Sequence, residues 1–291
     1  MARPVQYGGQ AVIEGVMMRG PRESAIAVRL PNGEVEVTRQ EISAWASHPL
    51  FKLPLIRGFI ALLQSLIVGI KALTFSANKA AGEEEEELSA GAMAATMVVA
   101  LGLGLLLFVG LPTWVAHLAR SRVQGTVWQN LLEGGIRLLV FLIYIAVISR
   151  LPDIQRVFQY HGAEHKAIYT YESGKSLTVE NARPFSTLHP RCGTSFLLIV
   201  VVVSIVVFAF LGLNPLWWRA LSRILLMPVV AGVAYEVLKF SARNLESPWL
   251  HWMVVPGMAL QRLTTREPDD EQLEVALAAL REIVESGQEL T

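Results

Sequence analysis

Phe196-Leu197-Leu198-Ile199-Val200-Val201-Val202-Val203-Ser204-Ile205-Val206-Val207-Phe208-Ala209-Phe210-Leu211-Gly212-Leu213 carries no charge, and Ser204 is its one polar side chain. At about 1.5 Å of rise per residue, a helix of this run crosses most of the hydrocarbon core of a bilayer. The whole chain agrees with that reading. Its 291 residues are 53% hydrophobic and only 17% charged, with mean hydropathy +0.43, too apolar for a soluble domain of this length.

Working outward, Asn214-Pro215 breaks the run, and residues 224–240 return across the bilayer with Glu236 near their end. Residues 93–111 and 131–148 complete a set of about four spans. Glu133 and Arg137 lie four apart on one helical face and are expected to pair. Residues 54–77 are apolar with a helical period, but Arg57, Gln64 and Lys71 interrupt them. A helix lying in the membrane interface suits those side chains at least as well as a span. Glu83 to Glu87 read as a solvated acidic linker and cap ahead of the next helix.

The ends are different in character. Residues 5–40 read as β structure: residues 24–30 and 34–38 flank Pro31-Asn32-Gly33, and Asn-Gly between alternating runs signals a hairpin. No apolar leader precedes it, so the amino terminus is expected to be mature as written. Residues 249–263 open with Trp249, His251 and Trp252 and are too short to span, which suits the headgroup region. Residues 268–286 form an amphipathic helix with Leu273, Leu277, Leu280 and Val284 on one stripe.

The expected fold is therefore mainly α, a polytopic membrane helical bundle of about four spans plus interfacial helices, with a small N-terminal β-hairpin region. Its segments are a β-rich cytosolic region at 1–52, an interfacial or membrane helix and acidic linker at 53–87, and two spans at 88–149. A polar region at 150–194, two more spans at 195–243 and an interfacial segment with the terminal helix at 244–291 follow. Lys and Arg cluster beside the spans on the side of both termini and the polar region, which puts that side in the cytosol. A span at residues 54–77 would separate the amino terminus from the polar region, so that one helix controls the topology. The 25 basic and 25 acidic residues balance, leaving no electrostatic footprint for nucleic acid.

The polar region carries the chemistry. In Tyr160-His161-Gly162-Ala163-Glu164-His165-Lys166, a helix brings His161 and His165 onto one face with Glu164 beside them, the H-x-x-E-H arrangement. His189-Pro190-Arg191-Cys192 adds two further donors, one of them the single cysteine. Of six histidines, three fall within 161–189, and imidazole with thiolate is the donor set zinc prefers. The expected metal ligands are His161, His165, His189 and Cys192, and Glu164 is the expected base on a metal-activated water. If all four ligate, the shell closes and the metal is structural. Gln10, Glu14, Glu172 and Glu180 are candidate third ligands or supporting groups, and Arg191 is a candidate anion clamp. Cys192 with a histidine partner could alternatively serve as a nucleophile. His48, His117 and His251 read as structural.

The sequence resembles the YqhQ-like family of bacterial multi-pass membrane proteins, a domain of unknown function (1385) labelled a metal-dependent enzyme. The resemblance rests on Gly8-Gly9-Gln10-Ala11-Val12-Ile13-Glu14-Gly15-Val16-Met17-Met18-Arg19-Gly20-Pro21, the 160–166 motif, Leu177-Thr178-Val179-Glu180-Asn181, and Ser186-Thr187-Leu188-His189-Pro190-Arg191-Cys192-Gly193-Thr194-Ser195-Phe196. It implies a membrane protein with a metal site and brings no substrate. The functional expectation is an integral membrane hydrolase with a divalent metal, zinc by its donors, acting at the cytosolic membrane surface on a lipid-linked or membrane-protein substrate. The alternative is a non-enzymatic membrane scaffold in which the same residues hold a structural metal or hydrogen-bond one another.

Overall fold

The computed structural model describes residues 7–42, 48, 51, 53–81, 90–212, 215–243 and 248–289. The acidic run 83–87 and the side chains of Trp249, His251 and Trp252 lie outside the described residues.

The β region expected at 5–40 holds more than one hairpin over residues 8–41. Strands β1 (Gly8–Val12), β2 (Gly15–Arg19), β3 (Glu23–Arg29) and β4 (Val35–Glu41) make an antiparallel sheet in sequential order. Val12 and Gly15 pair across the first turn, where Glu14 adopts a left-handed φ of 51°. The turn before β4 has Gly33 at φ 87°, and the Asn32 side chain accepts from the Glu34 N–H, as Asn-Gly turns favour.

Strand alternation sends side chains to two faces, and both are covered. Val12, Met17, Ile26 and Val28 pack on Ala72, Val68 and Phe75 of α1 (Ile56–Ala81). Val16, Met18, Ala25 and Ala27 pack with Leu273, Leu277 and Leu280, which the stripe at 268–286 supplies. Burying each leucine contributes about 1.5–3 kcal/mol.

Helix α1 is 26 residues long and apolar enough to cross a membrane, one of the two readings the sequence left open. Its first turns pack on the penultimate apolar helix, where Gly58 meets Gly232 and Tyr235. From Gln64 to Lys79 it touches the sheet instead, through Arg19 on Gln64, Ile13 on Ser76 and Glu36 on Lys79. The polar residues that interrupted its apolar pattern are thus partly accounted for by the sheet.

Helices α2 (Ala90–Leu105) and α3 (Leu111–Leu118) join through a π-helical stretch at Leu106–Gly110. Residues Ala94–Ser121 together are long and apolar enough to cross, as is α4 (Thr126–Ile148). Helix α5 (Pro152–Glu172) carries the H-x-x-E-H residues and ends at Gly174, φ 69°. The short α6 (Val179–Ala182) follows, capped by the Thr178 side chain.

Helix α7 (Gly193–Phe208) departs from expectation: the cleanest apolar run forms a 16-residue helix, shorter than a full span. Just past its end the buried Asn130 amide on α4 donates to the carbonyls of Ala209 and Leu211, satisfying groups that a helix terminus leaves without intrahelical partners. The run at 224–240 begins in the last residues of α8 (Leu216–Leu225) and continues as α9 (Met227–Arg243), and the two helices form a pair bent by 44°. Among the described residues, three helices are long and apolar enough to cross a membrane, or up to four with the bent pair taken as one, as in a membrane protein. Helix α10 (Pro248–Thr264) packs its Gly257 against Ser195 of α7, and α11 (Asp270–Glu289) closes the sheet.

Candidate metal centre

The centre is assembled where α5, α10 and the start of α7 meet. Gly162 permits the approach: a Cβ there would stand 2.1 Å from the Arg266 carbonyl oxygen. The chain leaving α10 therefore lies directly on α5, held by the Arg266 N–H on the Phe158 carbonyl at 2.9 Å. Buried Lys166 clamps the same segment through Glu267 at 2.5 Å and the Arg183 carbonyl at 2.7 Å.

This contact brings the Thr264 carbonyl to His161 Nδ1 at 2.8 Å. A carbonyl only accepts, so Nδ1 carries the proton and Nε2 presents its lone pair. That Nε2 lies 3.1 Å from Cys192 Sγ. One turn along, His165 Nδ1 donates to the Thr187 carbonyl at 2.5 Å, and its buried Nε2 has no hydrogen-bond partner. Ligand atoms of His161, His165 and Cys192 all lie within 4.8 Å of one another. Burial lowers the His165 pKa, favouring the neutral imidazole that a metal needs. Cys192 is also the N-cap of α7, its sulfur accepting from the Thr194 N–H.

Glu164 is 5% exposed and reaches within 4.0 Å of His161 Nε2. Burial raises its pKa, opposed by His161, His189 and the N–H of Gly9. A carboxyl moved upward from its ordinary range is better matched to proton transfer near neutrality. Gly9 also lines an open groove of about 380 Å³ with Tyr7, Gly8, Gln10, Met17 and Arg19.

The remaining candidates divide. His189 is not in the three-residue group: its Nδ1 accepts from the Arg191 N–H at 3.3 Å, so a neutral ring carries its proton on Nε2 and faces away from a ligand's role. That Nε2 is 3.6 Å from Glu172, which also pairs with Arg191. Arg191 is thus already engaged by a carboxylate. The His189 ring still stands 5.6 Å from that of His165, and burial lowers its pKa.

Gln10, Glu14 and Glu180 are not in the cluster. Alternation turns Gln10 to the α1 face, where its amide abuts Gly69. Glu14 is drawn to Arg156, with Tyr160 at 3.3 Å. Glu180 sits on α6, where its own backbone N–H and then Thr178 lower its pKa.

Sequence reading missed Gly9 and Gln261. Gln261 is fully buried; it accepts from the His189 N–H at 2.8 Å and donates to the His189 carbonyl at 2.9 Å. A glutamine near the end of an apolar helix was the available signal.

Comparison with known proteins gives the chain its relatives. The family described as "Protein of unknown function (DUF1385)" matches residues 53–286. The "Uncharacterized protein YqhQ" of Bacillus subtilis (strain 168) is 36% identical over 97% of this chain and 93% of its own length. No solved structure matches. The match to the family over most of the chain, with a relative aligned nearly end to end, places this protein in the DUF1385 family.

Proposed function

We propose that the protein is an integral membrane hydrolase of the cell membrane, dependent on a divalent metal held by His161, His165 and Cys192. One observation carries the reading: two imidazoles, each fixed by a main-chain carbonyl, direct Nε2 atoms toward one thiol, with ligand atoms within 4.8 Å of one another. Two nitrogens and one sulfur suit zinc, and three protein ligands leave one coordination position for water or substrate. An ion held there supplies Lewis acidity and a water of lowered pKa.

The chain's own groups do the rest. Glu164 takes the proton of the attacking water and delivers it to the leaving group. His189, protonated on Nε2, is the donor that offsets negative charge developing on the substrate. The groove beside Gly9 is the entry route for a lipid-linked or membrane-protein substrate, and the Lys and Arg distribution supports a cytosolic side for this chemistry.

A second reading is favoured by the burial of Glu164 and His165, 5% and 1% exposed: a scaffold in which the same ligands hold a structural metal. Metal analysis of the full chain in mild detergent tests both. One zinc per chain, lost from the His161→Ala/His165→Ala variant, supports the centre, and unchanged metal content in that variant overturns it. Glu164→Gln separates the readings. Metal retained with loss of hydrolysis of lipid-linked substrates, followed by mass spectrometry, marks the enzyme; retention of every property marks the scaffold.

A further inference from the structure

A second polar cluster lies about 22 Å from the α5 end of α4, counting the helical rise from Glu133 to Ile148. The buried Glu133 carboxylate accepts from Arg137 Nη2 at 2.9 Å, Arg219 Nε at 2.7 Å, Arg223 Nε at 3.2 Å and Thr113 Oγ1 at 3.2 Å. All four charged side chains are 5% exposed or less. Among the described residues, Glu133 is the one carboxylate paired with these three guanidinium groups. Two positive charges are left over. Arginine does not shed its proton in proteins, so the excess cannot be relieved by neutralisation, and an uncompensated buried charge is strongly unfavourable.

The three guanidinium groups are not equivalent. Arg137 donates its other nitrogens to the Phe108 carbonyl and Ser204, and Arg223 to Ser222 and Asn130. Both also lie over the Phe208 ring, at 5.2 and 5.5 Å. Arg219 is 0% exposed, yet its Nη1 and Nη2 have no hydrogen-bond partner. Nη2 is 2.7 Å from Glu133 Oε2, a charge contact without hydrogen-bond geometry.

Helix α8 places this fork inward. Trp217, Trp218, Leu221, Ile224 and Leu225 are exposed, whereas Arg219, Ser222 and Arg223 are buried. A helix apolar outside and cationic inside, with paired tryptophans, fits the lipid boundary of a built polar site.

We propose that Arg219, supported by Arg223 and Arg137, binds a phosphate monoester-class dianion between α4 and α8. Two unmatched positive charges are balanced by a phosphate carrying about two negative charges, and the Nη1 and Nη2 donors of Arg219 that lack hydrogen-bond partners match phosphate oxygens pairwise. The phosphate belongs to a lipid headgroup or to a soluble phosphate. This assignment is independent of the His/Cys centre.

The test uses the full chain in phosphatidylcholine nanodiscs, with thermal unfolding followed by tryptophan fluorescence. A saturable rise in Tm with inorganic phosphate identifies a soluble ligand. A rise confined to nanodiscs containing phosphatidic acid identifies a headgroup. In either case Arg219→Gln weakens binding roughly tenfold or more, and His161→Ala/His165→Ala leaves it intact. Where Arg219→Gln does not assemble, Arg219→Lys, which keeps the charge and loses the fork, carries the same expectation. No shift from either phosphate source, an equal shift with chloride at matched ionic strength, or binding unaltered in the Arg219 variants overturns the proposal.

Discussion

Gly9 and Glu164 touch: a Cβ on residue 9 would stand 2.7 Å from Glu164 Cγ, and the Gly9 N–H hydrogen-bonds the carboxylate. Two motifs separated by more than half the length of the chain are thereby one structure. The sheet, which lies ahead of the matched family region at 53–286, forms part of the wall behind the candidate base.

Gly9→Ala is expected to displace Glu164 or the edge strand, destabilising the protein by about 1–3 kcal/mol as overpacking does. Gly8→Ala is the control, because nothing lies within 4 Å of a Cβ there. Thermal denaturation of the two variants should separate them, with Gly8→Ala within about 0.5 kcal/mol of the parent.

Cys192→Ser preserves the cap of α7, since serine caps well and Thr194 supplies the same N–H. It removes the sulfur ligand. Because supporting residues around a metal typically change affinity 10–100-fold, loss of a ligand should weaken zinc binding by more than about 100-fold. Competitive chelator titration measures this, and unchanged zinc affinity would remove Cys192 from the centre.

Gln261→Leu leaves the His189 N–H and carbonyl without their buried partner, at about 1–3 kcal/mol per orphaned group. The turn carrying His189 and Cys192 should loosen, so zinc affinity falls together with Tm. A variant that melts early yet binds zinc like the parent would limit Gln261 to stability.

Glu14→Gln weakens the tie between the β1–β2 turn and Arg156. With the pair 25% and 50% exposed, the cost is expected below about 1 kcal/mol. Metal content should not change, because Glu14 is outside the cluster. Loss of zinc in this variant would return Glu14 to the site.

The sequence by itself determined the presence of helices apolar enough to cross a membrane, the Asn-Gly hairpin, the amphipathic last helix and the single-face placement of His161, Glu164 and His165. Each is a local property, set by apolar length, turn chemistry or helical period. Only the tertiary structure decided which distant groups join them. Cys192 enters the histidine pair and His189 turns its lone pair elsewhere, because main-chain contacts with Thr264, Thr187 and Arg191 fix each ring. The helix of the apolar run ends at Phe208, and the carbonyls just beyond it are met by Asn130 from another helix. Glu133 and Arg137 were legible as a pair at helical spacing; their union with Arg219 and Arg223 was not. Hydrophobic period records which face is buried, whereas the partner of a buried polar atom depends on how separate helices pack.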